Sequence, residues 1–281
     1  MKKLILVVCV GMFSLGMTAQ IQTPAPSPFQ KVEQKVGLTD VTLEYSRPSM
    51  KGRKIYGGLV PFGKTWRTGA NARTKITFSD NVMFGGTEVK AGSYAVYTVP
   101  NASSWEIMLY AEADGGGLPQ KWDDSKVVAK TTGKTFPIEM PVETYTMTFD
   151  DLTNDSVNLG IIWENTYVAV PIGFMTDKAV TASIEGVMNG PSDRDYFQAA
   201  VYYLESGKDI NKAKTWIDKA ISTRKSPAFW YHRQQSLIYA KAGDKKGAIK
   251  AAKKSLSLAK EAGNADYVSL NTNSLKEWGA L

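Results

Sequence analysis

The chain has 281 residues and a formal net charge of +7, from 34 Lys and Arg against 27 Asp and Glu. It contains one histidine, His232, and one cysteine, Cys9, which excludes a Ser-His-Asp triad in the N-terminal half and a zinc site built from His and Cys ligands. Residues 174–281 hold 17 Lys and Arg against 11 Asp and Glu. No basic run there alternates with aromatic residues, which favours a solvated helical surface over a nucleic-acid interface.

Residues 1–19 have the three parts of a cleaved secretory signal: Lys2 and Lys3, then an apolar run, then small residues that end at Ala19. Cys9 lies inside the apolar run and follows two bulky valines, so we interpret it as an ordinary signal residue rather than a lipid acceptor. No later apolar run is long enough to cross a bilayer. The sequence therefore predicts an exported protein, periplasmic or extracellular, that is not transmembrane after signal cleavage.

Residues 20–40 are interpreted as an N-terminal extension or linker, and residues 41–173 as a β domain. Apolar and polar residues alternate along this domain, as in Val41, Leu43 and Tyr45, which is the period of a half-buried strand. Clusters of Gly, Asn, Asp and Ser separate about eight or nine such runs, with no helical pattern between them. The pattern predicts an antiparallel β-sandwich or an open barrel, and periodicity does not choose between the two.

After Ile172 the apolar period becomes that of a helix. Residues 174–191 predict a connecting helix, with Thr176 as its possible N-cap and Asn189-Gly190-Pro191 as its end.

Residues 192–281 contain a repeat in which small residues, a Tyr and a Gly-Asp pair recur at a spacing of 35 to 36 positions. The matched positions are Ala200, Tyr203, Gly207, Asp209, Ala213 and Ala220 with Ser236, Tyr239, Gly243, Asp244, Ala248 and Ser255. This pattern resembles the tetratricopeptide helix-turn-helix, a module that usually presents a concave face to a partner protein. The predicted fold class is therefore α+β by segregation, a β-sandwich followed by a tetratricopeptide-like helical domain that ends in a capping helix.

The strongest candidate site lies in residues 61–71. Arg67 offers a planar fork of donors, Trp66 an apolar face and Asn71 both a donor and an acceptor, which together suit a carboxylate, a sugar or a peptide backbone. A structural interpretation stays open, in which Trp66 belongs to the core and Arg67 pairs with an internal carboxylate such as Glu164. Near the loop of residues 115–117, Trp122 is a candidate for a mobile lid over the same face.

Oxygen-based chemistry is the alternative that the sequence leaves open. The acidic residues at 150, 151 and 155 form a cluster, but its spacing lacks the pattern of an EF-hand, and hairpin turns favour the same residues. A glycan or peptidoglycan hydrolase would draw its acid and base from Asp123, Asp124, Asp150 or Glu164. No cofactor and no metal ion is predicted.

Three separated segments resemble one known family: residues 61–71, residues 90–100 with the run Lys-Ala-Gly-Ser-Tyr, and residues 163–172 with the run Trp-Glu-Asn-Thr-Tyr. The chain resembles the bacterial envelope family known as domain of unknown function 2911 over about residues 27–172. The Trp-Arg-x-Gly-Ala-Asn run of that family is matched here at residues 66–71. The resemblance implies a fold unit in the bacterial envelope and names no activity.

We therefore predict a non-catalytic exported protein that binds a small molecule or glycan through its β domain and an envelope protein or peptide through its helices. The predicted ligand-binding residues are Trp66, Arg67, Asn71, Trp122 and Glu164, and the predicted partner-binding groove comprises Tyr196, Tyr203, His232 and Tyr239. A carboxylate-dependent hydrolase and a structural role in envelope assembly are the alternatives. Two carboxylates about 5 to 10 Å apart across a cleft would favour the hydrolase.

Overall fold

The computed structural model describes residues 23–188 and 190–281, so the predicted signal at residues 1–19 lies outside the described residues. Within those ranges nine strands precede six helices. The strands are β1 (Phe29–Val36), β2 (Thr39–Ser46), β3 (Lys75–Phe78), β4 (Val82–Phe84), β5 (Thr87–Val89), β6 (Gly92–Val99), β7 (Ser104–Tyr110), β8 (Val127–Asp150) and β9 (Ser156–Phe174). The helices are α1 (Thr176–Val187), α2 (Asp193–Glu205), α3 (Ile210–Thr223), α4 (Phe229–Lys241), α5 (Lys245–Glu261) and α6 (Ala265–Glu277).

All strand pairs are antiparallel, in the order β1-β2-β3-β6-β7-β8-β9-β4-β5. Strand β8 joins two layers, because residues 127–134 pair with β7 and residues from 135 onward pair with β9. Side chains from the two layers meet in one core, where Leu43 and Ile76 share a cluster with Leu159 and Ile161. The predicted segregation of an antiparallel β domain from helices is confirmed, and the two-layer core fits a sandwich.

The predicted start of the β domain was wrong. Residues 29–36, which we interpreted as extension, form β1 and pair along their whole length with β2. The two longest strands are β8, with 24 residues, and β9, with 19. Each of these long strands serves more than one partner, which is why the alternation along them is interrupted.

The helical part follows the predicted repeat. Gly207 and Gly243 have φ values of +63° and +79° and end α2 and α4, a conformation that glycine adopts without steric cost. Asp209 and Asp244 then cap α3 and α5 by accepting hydrogen bonds from backbone N–H groups. All six small residues of the repeat are fully buried: Ala200, Ala213, Ala220, Ser236, Ala248 and Ser255. The tetratricopeptide-like module is thus confirmed as a set of paired helices.

The connecting helix α1 begins one residue earlier than a cap at Thr176 predicts. Met175 occupies its N-cap position without a side-chain hydrogen bond, and Thr176 is the first helical residue. Among residues 23–188 and 190–281, no helix combines the length and apolar character that a membrane crossing requires.

Candidate functional site

A cleft of about 660 Å³ opens on the β domain, a size usual for small-molecule sites. Its walls come from six separate stretches of chain. They are residues 26–27 before β1, residues 48–53 and 59–60 after β2, residues 65–71, Leu118, and Trp163 of β9. The structure therefore brings Trp66, Arg67 and Asn71 to one concave surface.

Every charged side chain that lines the cleft is a cation: Lys51, Arg53 and Arg67. Arg53 is partly committed, because its Nε donates to the Met50 carbonyl at 2.9 Å and its Nη2 to the Ser49 carbonyl at 2.7 Å. The half-buried Arg67 makes no hydrogen bond or ion pair with any residue that the structure describes. Residues 1–22 and Asn189 contain no Asp or Glu, so no acidic partner lies outside the described ranges either.

Glu164 does not pair with Arg67, which corrects one of the two interpretations of the sequence. Its carboxylate instead accepts the backbone N–H groups of Ile55 at 3.1 Å and Tyr56 at 3.2 Å. Glu164 lies in the left-handed region, with φ +55°, where the register of β9 against β8 shifts. It therefore fixes the loop that carries Leu59 and Val60 to the cleft wall, and does not itself line the cleft.

Trp66 is half-buried and belongs to both the core and the cleft. Its ring stacks on Trp163 with centroids 6.1 Å apart and an interplanar angle of 16°. Its edges meet Tyr145 at 5.3 Å and Trp105 at 6.3 Å. Backbone hydrogen bonds in both directions to Thr98, at 2.7 and 3.0 Å, anchor it to β6. The tryptophan is thus a rigid apolar floor whose position is set by the core.

The backbone after Arg67 is strained. Thr68, Gly69 and Asn71 have φ values of +59°, +151° and +58°, and a β-branched residue such as Thr68 rarely adopts a positive φ. A left-handed conformation costs a residue other than glycine about 1 to 3 kcal/mol, and such conformations cluster at functional sites. A Cβ on Gly69 would lie 2.9 Å from Thr74 Oγ1 and 3.2 Å from the Ser46 carbonyl oxygen, so the position requires glycine.

Backbone donors of this segment lack acceptors. Among the residues described, no carbonyl or side chain accepts a hydrogen bond from the N–H groups of residues 67–71, although Thr68 and Gly69 are buried. The neighbouring side chains are satisfied by contrast: the Thr68 hydroxyl donates to the Trp66 carbonyl at 3.2 Å, and Asn71 Nδ2 donates to the Ser27 carbonyl at 3.1 Å. Buried N–H groups without partners are rare, so the segment is suited to an outside acceptor.

Trp122 lies outside the cleft, contrary to the predicted lid. Its ring packs against Tyr97 at 5.3 Å and Tyr110 at 4.9 Å, and its Nε1 donates to Asp124 at 2.8 Å. The glycine loop before it is tied down, because the Gly115 carbonyl accepts the Arg73 N–H at 3.0 Å and the Gly117 carbonyl accepts the Tyr97 hydroxyl at 3.0 Å. This fixed loop places Leu118 on the cleft wall.

The carboxylates considered for hydrolysis also lie away from the cleft. Asp123 caps a single 3₁₀ turn, and hydrogen bonds from Ser125 hold the pKa of its carboxyl below the ordinary value. Asp150 accepts the hydroxyls of Thr148 at 2.6 Å and Tyr167 at 2.9 Å; burial together with that bond raises the pKa of Tyr167 to about 12. Within the described ranges no group of three metal-ligating side chains is present.

The predicted partner groove does not form as an open surface. Tyr203 is buried against Trp216 at 4.7 Å, inside the helical core. The Tyr239 hydroxyl donates to Asp218 at 2.8 Å, and burial is the main reason that the pKa of Tyr239 rises to about 12. Half-buried His232 lies 3.2 Å from Gln235 through Nδ1, and burial lowers its pKa.

Tyr196 is half-buried and packs against a separate cluster that contains Ala228. Of the four predicted groove residues, Tyr203 is therefore buried, and the other three are half-buried.

Sequence reasoning missed several cleft residues, above all Lys51, Leu59 and Leu118. The one available signal was the basic run Lys51-Gly52-Arg53-Lys54. A basic run with a glycine suggests an exposed loop, and no local pattern shows that it faces Arg67.

A family model described as protein of unknown function (DUF2911) matches residues 27–172 of the chain. Every cleft-lining residue except Pro26 lies within the matched range. No curated protein and no solved structure matches.

Proposed function

We propose that this chain, which belongs to the DUF2911 family, is a binding protein whose β-domain cleft holds a small, negatively charged ligand without transforming it. The observation that carries the proposal is Arg67: a half-buried residue whose guanidinium has no partner among the described residues, in a cleft whose charged side chains are all cationic. A guanidinium that no protein group engages offers its whole fork of donors to an anion, and the other cations of the cleft also favour negative charge there.

The shape and lining of the cleft support this proposal over hydrolysis. Its volume suits a small molecule, and Trp66, Leu59 and Leu118 supply apolar area. The hydrolase alternative requires two carboxylates that face each other, and no carboxylate lines this cleft. A role confined to envelope assembly gives no reason for a cleft that combines three cations with a strained wall.

A thermal-shift screen tests the proposal. The protein is heated with a panel of small anions, sugars and peptides, alongside Arg67→Ala and the control Lys64→Ala, which removes the same charge from an exposed site outside the cleft. A ligand at about 100 times its Kd should stabilise the wild type and the control by about 2.7 kcal/mol and leave Arg67→Ala unchanged. A ligand that stabilises all three proteins equally would place binding elsewhere.

We also propose that the helical domain binds an acidic protein segment through the outer face of α5. The helix carries six lysines and one acidic residue, Glu261 at its end. The lysines are Lys245, Lys246, Lys250, Lys253, Lys254 and Lys260, and all six are exposed. Ion pairs in the described helical part involve Lys208, Lys214 and Arg224, so none of the six is paired there. Like charges at positions i and i+4 destabilise a helix. Repulsion among the unpaired lysines therefore lowers the stability of α5, and an acidic partner would relieve that repulsion.

Binding to an acidic peptide, poly-L-glutamate, tests the second proposal. Replacing Lys246, Lys250 and Lys253 together by Gln should abolish binding at low salt, while the same change at three exposed β-domain lysines, Lys64, Lys121 and Lys134, should leave it intact. Equal losses in both triple variants would show a non-specific effect of net charge. Binding to anionic vesicles in preference to the peptide would assign the face to lipid instead.

Export of the protein to the bacterial envelope is part of the proposal, on the basis of the signal-like residues 1–19. N-terminal sequencing of the protein recovered from a periplasmic fraction should begin near Gln20. Recovery of the intact N-terminus from the cytoplasm would contradict it.

A further inference from the structure

We infer that the cleft selects ligands that carry one carboxylate on a flat apolar body, with the carboxylate held by Arg67 and the backbone at Gly69. This inference rests on the proposed binding function and specifies the chemical class of the ligand.

The carboxylate would meet two kinds of donor. The Arg67 guanidinium is a planar fork that matches the two oxygens of a carboxylate, and it has no competing acid in the described chain. Gly69 has only backbone atoms and lines the cleft, so the backbone itself forms the wall there. Its N–H has no acceptor among the described residues. Residues 68, 69 and 71 all have positive φ, so the chain turns sharply at this part of the cleft wall.

The rest of the ligand would lie on apolar surface. Trp66 presents a ring that is fixed from below by stacking on Trp163. Leu59 and Leu118 are each 48% exposed and stand on separate loops of the cleft. An aromatic or otherwise flat group fits against a tryptophan ring whose position does not change on binding.

A single carboxylate fits better than a phosphate. Arg53 has already committed two of its nitrogens to the Met50 and Ser49 carbonyls, which leaves Arg67 as the one fork with all its donors available among the described residues. Most of the remaining lining is apolar, and the cost of desolvating a dianion there exceeds the cost for a monoanion.

Four ligands with one apolar body and different head groups test the inference: 4-phenylbutyrate, 4-phenylbutanamide, 4-phenylbutylamine and 3-phenylpropylphosphonate. Binding to the whole protein is followed by amide chemical shifts, which report on Gly69 directly. The carboxylate should bind about 10- to 100-fold more tightly than the amide, and the amine more weakly still. At saturation the Gly69 N–H signal should move further with the carboxylate than with the amide, because a charged acceptor makes the stronger hydrogen bond.

Three substitutions distinguish binding by the Arg67 guanidinium fork from a general effect of positive charge. Arg67→Gln should lose about 10- to 100-fold in carboxylate affinity, and Arg67→Lys about tenfold, since it keeps the charge without the fork. Lys64→Gln removes a charge outside the cleft and should stay within about twofold.

Each contrary result has its own meaning. Equal affinity for the carboxylate and the amide, with cleft signals perturbed by both, would overturn the carboxylate inference and leave the binding cleft standing. Tighter binding of the phosphonate would assign the site to phosphoryl groups and overturn it too. Failure of all four ligands to shift any cleft amide at about 10 mM would overturn both the inference and the proposed function.

Discussion

Two arginines six positions apart allow the binding and structural roles of the Trp66 segment to be separated by stability alone. Arg73 is nearly buried, with 9% of its side chain exposed. Its Nη1 donates to the Glu112 carbonyl at 2.8 Å and its Nε to the Gly117 carbonyl at 3.3 Å. Arg67 has no such bond to any described residue.

The expected magnitudes follow from those contacts. Replacing Arg73 by Gln removes two hydrogen bonds that a charged donor makes and leaves the two accepting carbonyls without that donor. Since one of the bonds is long, we expect the free energy of unfolding to fall by about 2 to 4 kcal/mol. Replacing Arg67 by Gln removes no bond within the described protein, so the free energy of unfolding should change by no more than about 0.5 kcal/mol.

Hydrogen exchange of the core amides in β6 and β9 is the assay, because it reports the stability of the β domain separately from that of the helices. Arg73→Gln should lower protection of those amides by about 30- to 1000-fold, whereas Arg67→Gln should leave it within about threefold. If Arg67→Gln lowers protection as much as Arg73→Gln does, the guanidinium has a structural partner, and the argument for ligand binding at Arg67 fails.

Three further predictions concern single side chains. Gly69→Ala should destabilise the β domain by about 2 to 4 kcal/mol in urea unfolding, because its Cβ would lie 2.9 Å from Thr74 Oγ1 at φ +151°. The control Gly186→Ala, in an open helical position, should instead stabilise by about 0.5 to 1 kcal/mol. Glu164→Gln should cost about 1 to 3 kcal/mol by weakening its two bonds to loop N–H groups, and amide exchange in that loop should rise; unchanged exchange would contradict its positioning role. Burial lowers the pKa of His232 below its ordinary value of 6.5, so the folded state favours the neutral ring. Stability of the helical domain present above pH 6.5 should therefore fall as the pH drops through that value toward the lowered pKa. His232→Gln should flatten this dependence in unfolding midpoints measured across the same range, and an unaltered slope would be evidence against it.

Element types could be predicted wherever one face of an element is apolar. The alternation in β2 and the helical repeat both gave the correct class, because burial on one side imposes a period. Strand β1 was missed for the same reason: its exposed face carries Lys31, Glu33 and Lys35, and its other face is only half-buried. Its strand conformation depends on hydrogen bonds to β2, which no local pattern reveals.

Residues of the site could be predicted only where they lie close together in the sequence. Trp66, Arg67 and Asn71 stand within six residues, so their combination is visible in the sequence. Lys51 and Leu118 reach the same cleft from loops that only the strand order brings together. The partner of Glu164 could not be foreseen, because its left-handed conformation at a shift in register aims the carboxylate at a loop backbone.

Tyr203 and Tyr239 show the limit of repeat patterns. Their matched spacing correctly places both on paired helices, but the same spacing holds for residues that fill the contact between helices and for residues that face outward. Their environments differ in the structure, with one ring buried against Trp216 and the other hydroxyl bonded to Asp218. The position of a residue in the repeat therefore predicts which helix carries it, but it does not predict how exposed its side chain is.

The segment at residues 66–71 is explained better by a role in binding than by a role in folding, because some of its hydrogen-bond donors have acceptors in the protein and others have none. A run that only held the domain together would have its donors used, as the Thr68 hydroxyl and the Asn71 amide are. The Arg67 guanidinium and the N–H groups of residues 67–71 lack acceptors in the described chain, and Arg67 and Gly69 line the cleft. Stacking on Trp163 holds Trp66 in place in the folded protein. The free energy of the left-handed backbone is therefore already offset by folding, and ligand binding does not have to supply it. A ligand that supplied the missing acceptor would gain those bonds without ordering the site first, which is the arrangement expected of a preformed binding cleft.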